Sequence, residues 1–367
     1  MFVFEYITSK VLDEAFSKIK KIYSDNNQNV KIKKNDIENS INIHLKYVNN
    51  LSELISFKDL QNKKALKNTF IDLNLYLTPL KDQVANIEKE KSVSLNDVLE
   101  NESNHTIILG QVGAGKTTAM KKVCQRCLFD EKFKKGYSFP IFIELKDLKN
   151  EKKSLIKYIL ELLGVVIENE KEIALNEFYY KICVTILDSL SPILILDGFD
   201  EVDIDLREKV GNEIRKLCLS LNNSFIFLTS RTTDFNVDIE NASYYEISTL
   251  SSFQIADFVK NWFQSDKEAE EFLFQLFNSP YKDFALRPLN LAHICAIYER
   301  GDKKIPEPKT IYSKIINLLL KEWDEQRSLY RKNKFFSFPP EKKREFLSTL
   351  SFGLSIKIKK SQSSYNN

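Results

Sequence analysis

Residues Gly110-Gln111-Val112-Gly113-Ala114-Gly115-Lys116-Thr117 match G-x-x-x-x-G-K-[ST] without interruption. No other stretch restricts the fold as strongly. The chain holds only nine glycines in 367 residues, and three of them fall within these six positions, Gly110 to Gly115. Side chains there would keep backbone N–H groups away from a bound anion. Lys116 adds a point charge for the β- and γ-phosphates, and the Thr117 hydroxyl is a ligand for Mg²⁺. The flanks agree with the motif. His105 to Leu109 is a short apolar run suited to a buried strand, and Thr118 to Phe129 places Ala119, Val123 and Cys127 at helical spacing. A strand, a glycine loop and a helix N-terminus in that order make a phosphate site. The expected ligand contacts are Gly110 through Thr118.

From about residue 92 to 250, strands and helices alternate, as in a parallel sheet covered by helices. Predicted strands are Thr106–Leu109, Ile141–Glu144, Pro192–Leu196, Phe225–Thr229 and Tyr244–Ile247. Predicted helices are Ser154–Leu163, Ile173–Leu190 and Leu206–Leu221. Residues 1–91 read as a separate, mostly helical region with apolar stripes at Val11 to Tyr23 and Ile41 to Ile55. In that region Phe70 to Leu77 alternates like a strand, and Glu88 to Lys91 reads as a linker. Residues 251–305 read as wholly helical. Residues 306–367 contain a predicted helix from Thr310 to Gln326, another opened by Pro339-Pro340, and a polar tail from Ser361 expected to lack structure.

A second group of residues completes the site. Ile193 to Leu196 is an apolar strand that delivers Asp197 at its C-terminal end, where open α/β sheets bind ligands. Asp197 is therefore expected to hold Mg²⁺ together with Thr117. Asp200 and Glu201 follow, able to polarise an attacking water; an acidic cap for the next helix is the alternative. Gly198 is expected to leave room for a γ-phosphate. Arg231 ends the next strand and could reach that phosphate; pairing with a neighbouring acid is its alternative. Pro288 opens a helix and could pack on a base, or could be an ordinary first-turn proline.

Taken together, the phosphate loop, Leu194 to Glu201 as an extended Walker B segment, and Thr229-Ser230-Arg231 as a first sensor resemble a NACHT domain. NACHT domains are a branch of the STAND signalling NTPases related to AAA+ proteins. Pro140 to Leu145 is similar to the family's second core strand and Leu286 to Leu291 to its proline motif. Ile311 to Asp324 resembles the helix leading into its winged-helix region. The resemblance spans roughly residues 95 to 325. It implies an α/β P-loop NTPase fold with helices on both sheet faces, and an ATP/ADP switch that uses Mg²⁺ and hydrolyses slowly. It also implies self-association on activation and a place in bacterial defence against phage, with a phage-derived protein or nucleic acid as trigger. A continuously cycling ATPase and a truncated nucleotide-binding regulator are the other classes this pattern admits.

Composition narrows the remainder. Net charge is +3, although residues 301–367 carry 15 Lys/Arg against 7 Asp/Glu, a basic end that fits a solvated helix face and a frayed tail, with contact to RNA, DNA or an acidic partner as the alternative. No apolar stretch approaches a membrane span, and the N-terminus lacks a signal-peptide pattern, so a cytoplasmic protein without membrane contact is expected. The five cysteines (Cys124, Cys127, Cys183, Cys218 and Cys295) are expected to be reduced. Cys124-x-x-Cys127 reads as two buried small residues. Glu144-Leu145-Lys146 spells half of a nuclease motif, but its position inside the NTPase core argues against that chemistry.

Overall fold

In the computed structural model, residues 9–26, 33–55, 63–77, 92–101, 104–130, 139–148, 154–165, 173–280, 282–301, 303–305, 313 and 339–364 are described. Before the phosphate loop the chain forms α1 (Ser9–Asn26), α2 (Lys34–Glu53), β1 (Leu54–Ile55), β2 (Lys64–Ala65), α3 (Leu66–Thr69), β3 (Asn74–Tyr76), β4 (Ser92–Ser94), α4 (Leu95–Asn101) and β5 (His105–Leu109). Next come α5 (Lys116–Phe129), β6 (Pro140–Glu144), α6 (Leu155–Leu162), α7 (Ile173–Leu190), β7 (Ile193–Asp197), α8 (Ile204–Ser220), β8 (Phe225–Ser230) and β9 (Ala242–Ile247). Helices α9 (Ser252–Phe263), α10 (Asp266–Phe277), α11 (Pro288–Arg300) and α12 (Pro340–Ser364) complete the described elements.

Continuous apolar runs make buried parallel strands, and this chain follows that rule. All five residues of β5 and of β7 are buried. The sheet has seven strands in the order β4-β3-β9-β5-β8-β7-β6. Strands β9, β5, β8, β7 and β6 are mutually parallel, while β3 runs antiparallel to β9 and β4 antiparallel to β3. From β5 the chain crosses to the far edge at β6, then steps back through β7 to β8. Right-handed crossovers in these opposite directions put α5 on one face and α6, α7 and α8 on the other. This is an α/β P-loop NTPase fold.

Two placements decide the site. Strand β8 lies between β5 and β7, so its C-terminal end sits between the phosphate loop and Asp197. The segment before residue 92 joins the same sheet through β3, whose Leu75 is paired with Ile247. It joins the same core as well, through Ile19, Ile41, Leu45, Leu73 and Leu75. Helix α2 packs along β6, the sheet edge, where the Phe142 N–H donates to His44 Nε2 at 3.0 Å. That bond satisfies a donor which an edge strand would otherwise leave open.

Some expectations shift. The strand predicted over Phe70 to Leu77 is confined to Asn74–Tyr76, because Leu66–Thr69 is a helical turn and residues 70–73 are spent beside a cavity. Leu54 and Ile55 leave the predicted helical stripe and pair with Ala65 and Lys64. Helix α12 continues to Ser364, into the tail expected to be unstructured. The helix predicted over Thr310 to Gln326 and the linker at Glu88 to Lys91 lie outside the described residues, apart from Ser313. No helix among the described residues is long and apolar enough to cross a membrane.

Candidate functional site

The phosphate loop takes its shape from its glycines. Gly113 has φ +77° and Gly115 φ +99°, left-handed conformations that most side chains disfavour. A Cβ on Gly113 would sit 3.2 Å from Leu289 Cβ. Gly115 forms the N-cap of α5, so the helix N-terminus opens into the loop. The back of the loop is tied down: the Gly110 N–H donates to the Ser230 carbonyl at 3.2 Å and the Ala114 N–H to Gln111 O at 3.2 Å. The Lys116 ammonium donates to the carbonyls of Gly110 (2.7 Å) and Gln111 (3.2 Å).

Asp197 is the centre of a hydrogen-bonded chain. Thr117 Oγ1 donates to its Oδ2 at 2.8 Å, and Thr229 Oγ1 donates to its Oδ1 at 2.6 Å. The Gly198 N–H in turn donates to Thr229 Oγ1 at 2.8 Å. Thr229 is fully buried, so the carboxylate is held at a fixed rotation. The adjacent hydroxyl and carboxylate oxygens of Thr117 and Asp197 are hard donors, and they fit a magnesium ion that takes its remaining ligands from phosphate and water. Lys121, one turn along α5, also lines the cavity. Burial pushes its ammonium below the usual lysine value, opposed by Glu144 and Asp197.

Of the two acids after Asp197, Asp200 is turned inward. It is 3% exposed, with its Oδ2 2.8 Å from Arg231 Nε and its Oδ1 accepting from the Arg231 N–H at 3.1 Å. The Nε contact has ion-pair distance without hydrogen-bond alignment. Arg231 and Asp200 therefore hold one another, the alternative arrangement for that arginine. Glu201 also lines the cavity, folded over Gly198: a Cβ there would meet Glu201 Cδ at 3.1 Å. The space expected for a γ-phosphate at Gly198 is thus taken up by Glu201. Asp203 is the N-cap residue of α8 but makes no capping hydrogen bond with its side chain.

These groups face a cavity of about 290 Å³. Of the residues singled out from sequence, Val112, Gly113, Gly115, Lys116, Thr117, Thr118, Asp197, Asp200, Glu201, Arg231 and Pro288 line it. Gly110, Gln111 and Ala114 instead form the back of the loop. Pro288 is the first residue of α11, and that helix start clasps the loop. The Leu289 N–H donates to Gly113 O at 3.2 Å, and the Arg287 guanidinium meets the Gln111 side-chain oxygen.

Sequence reasoning missed the rest of the wall. Ile55, Thr69, Phe70, Ile71 and Leu73 arrive from before the sheet core, and Phe258, Trp262 and Ala292 from α9 and α11. The 70–73 segment is braced from both sides: Gln254 Nε2 donates to Asp72 O at 2.8 Å, and Asp72 Oδ1 accepts from the Asn96 N–H at 3.3 Å. Thr229 belonged to the segment singled out from sequence, Thr229-Ser230-Arg231, but its hydrogen bond to Asp197 was not anticipated. Nothing in the spacing pointed to residues 69–73.

The two motif decoys resolve structurally. Cys124 and Cys127 are fully buried, and burial raises the Cys124 thiol well above its usual value. Among the described residues no group of three or more His, Cys, Asp or Glu could hold a metal ion. Glu144 pairs with Lys146 and with the Tyr47 hydroxyl, which donates at 3.5 Å.

Comparison with known proteins follows the same line. The family model of the NACHT domain matches residues 104–266. No curated protein matches the chain. Among solved structures, a STAND protein with a tetratricopeptide repeat sensor from Pyrococcus horikoshii is similar at 15% identity and TM-score 0.39, over 60% of this chain and 31% of that one. The Aeropyrum pernix Orc1 protein in complex with DNA is similar at 14% identity and TM-score 0.39, over 62% of this chain and 65% of that one. The chain spans less than two thirds of the length of either structure. With a glycine loop at a helix N-terminus, Asp197 locked beside Thr117, and the family match over the strands that carry both, residues 104–266 of this chain are a NACHT domain of the P-loop NTPase class.

Proposed function

We propose that the chain is an ATP-binding signalling switch that hydrolyses its nucleotide slowly. The observation that carries this reading is the Asp200–Arg231 pair, 2.8 Å apart at the cavity wall. Both residues line the cavity beside the phosphate loop, and each is engaged by the other. Turnover then waits on a rearrangement that draws them apart, which suits a timer better than a motor.

In this reading the backbone N–H groups of Gly113, Gly115 and Lys116 and the Lys116 ammonium hold the β- and γ-phosphates. Thr117 and Asp197 would hold Mg²⁺, which supplies charge neutralisation at those phosphates. Glu201 takes the proton from the water that attacks the γ-phosphorus, while ADP leaves with the bridging oxygen. Because α11 is bonded to Gly113 and Gln111, a nucleotide that shifts the loop shifts the helical region with it. Assembly of several copies on activation, a phage-derived protein or nucleic acid as trigger, and a cytoplasmic location are the remainder of the proposal. These rest on the family resemblance.

The test is single-turnover ATP hydrolysis by the full chain and its Glu201→Gln variant. Glu201→Gln should keep ATP bound and slow hydrolysis by 10²-fold or more, on the order of a general-base contribution. Hydrolysis by the variant at the wild-type rate would remove Glu201 from the mechanism.

A further inference from the structure

Helix α5 carries a second lysine into the cavity. Lys121 lies one turn beyond Thr117 on the same helix face, and both line the cavity together with Asp197. Side chains on a helix lean toward its N-terminus, so the half-buried lysine stem runs back toward Thr117. Two carboxylates act on its ammonium, Glu144 and Asp197. They end the adjacent parallel strands β6 and β7 as register partners. Register partners on neighbouring strands point to the same sheet face, so their negative charges add there.

The other cations lining the cavity among the described residues are engaged elsewhere. Lys116 donates to the carbonyls of Gly110 and Gln111, and Arg231 is paired with Asp200. Glu144 has Lys146 as its partner. Asp197 accepts from two neutral hydroxyls, those of Thr117 and Thr229, which orient its charge without cancelling it. Offsetting that charge falls to Lys121.

We infer that Lys121 is a positioning residue that closes the place between Thr117 and Asp197 to a divalent cation until a nucleotide enters. This rests on the nucleotide-binding reading above. An ammonium beside a divalent ion repels it strongly enough, even at the effective dielectric of a protein surface, to lower metal affinity by about tenfold or more. A triphosphate reverses the balance. Its negative charges outweigh the ammonium, and its oxygens complete the ligand sphere that two protein oxygens leave open.

The experiment uses Mn²⁺, which takes the same hard oxygen ligands as Mg²⁺ and whose free ion is counted by electron paramagnetic resonance. The full chain is freed of nucleotide and titrated with Mn²⁺ alone and with Mn²⁺ plus ATP, as wild type, Lys121→Met, Lys121→Gln, Lys121→Arg and the double variant Lys121→Met with Asp197→Asn. Lys121→Met keeps the stem and removes the charge. Without nucleotide it should bind Mn²⁺ about tenfold or more tightly than wild type. Lys121→Gln should show the same gain, and it carries the test should the methionine variant fail to fold. Lys121→Arg keeps the charge and should bind as wild type does, and adding Asp197→Asn to Lys121→Met should abolish the gain. Equal nucleotide-free affinity in wild type and the uncharged variants would overturn the inference. So would a gain that Lys121→Arg shares, or one that survives Asp197→Asn. A wild-type chain that takes up Mn²⁺ no better with ATP than without it would instead overturn the nucleotide reading, while the nucleotide-free comparison still decides the role of Lys121.

Discussion

Thr229→Val changes no volume to speak of, yet it removes two hydrogen bonds at the heart of the site. Thr229 is fully buried, accepts from the Gly198 N–H at 2.8 Å and donates to Asp197 Oδ1 at 2.6 Å. The bond to a carboxylate contributes about 1.5–3 kcal/mol and the neutral one about 1 kcal/mol. Valine also leaves the Gly198 N–H without its partner in a dry interior. The loss should come to roughly 3 kcal/mol, enough to lower the thermal midpoint by about 5 °C or more. The functional effect is separate. Asp197 keeps only the Thr117 bond, so its carboxylate can rotate away from the metal position. MgATP affinity should fall about tenfold, while nucleotide measured with EDTA should bind as to wild type. Thermal melting and parallel titrations with Mg²⁺ and with EDTA read both effects, and Thr229→Ser should restore them. A Thr229→Val chain that melts within a degree of wild type and keeps its magnesium dependence would refute the proposed role of this hydrogen-bond chain.

Two further outcomes follow from buried charge. Burial lowers His44 to about 4 from the ordinary 6.5, and its Nε2 accepts from the Phe142 N–H, so the folded protein holds it neutral. Its folded pKa lies below its unfolded one, so the stability it contributes is complete above about pH 6.5 and is lost as pH falls toward 4, about 2 kcal/mol by pH 5. His44→Gln, which can still accept from Phe142, should flatten that part of the urea-midpoint profile between pH 7.5 and 5; an unchanged slope would exclude His44. Arg231→Ala strands the inward-facing Asp200 carboxylate and should cost about 3 kcal/mol. Asp200→Asn in the same chain should recover much of that loss in equilibrium denaturation, and no recovery would mean that the ion pair is not the reason.

The parts of the site that sit on regular elements were readable because their chemistry is local. Gly110 to Thr117 needs its residue types at fixed offsets, and the Ile193 to Leu196 run declares a buried strand with an acid at its end. The sheet core followed from apolar runs of strand length, and four of the five predicted strands begin within one residue of their observed starts. The apolar end of the cavity was not legible. It is assembled from Thr69, Leu73, Trp262 and Ala292, which share no spacing and look like ordinary core residues until the sheet brings them together. The direction of Asp200 was also hidden. Sequence placed it beside Glu201, but one acid turns in to Arg231 and the other lies over Gly198, a difference set by the 3₁₀ turn Phe199–Glu201. Residues 64–76 looked like part of a region apart, because the pairing of Leu75 with Ile247 links positions far apart in the chain.

The most direct test of the account is the nucleotide content of freshly purified protein, released by denaturation and identified by chromatography, for wild type and Lys116→Ala. The account predicts close to one adenine nucleotide per wild-type chain, mainly ADP, and none in the variant. Wild-type protein that carries no nucleotide, and that afterwards binds MgATP no better than Lys116→Ala does, would contradict it.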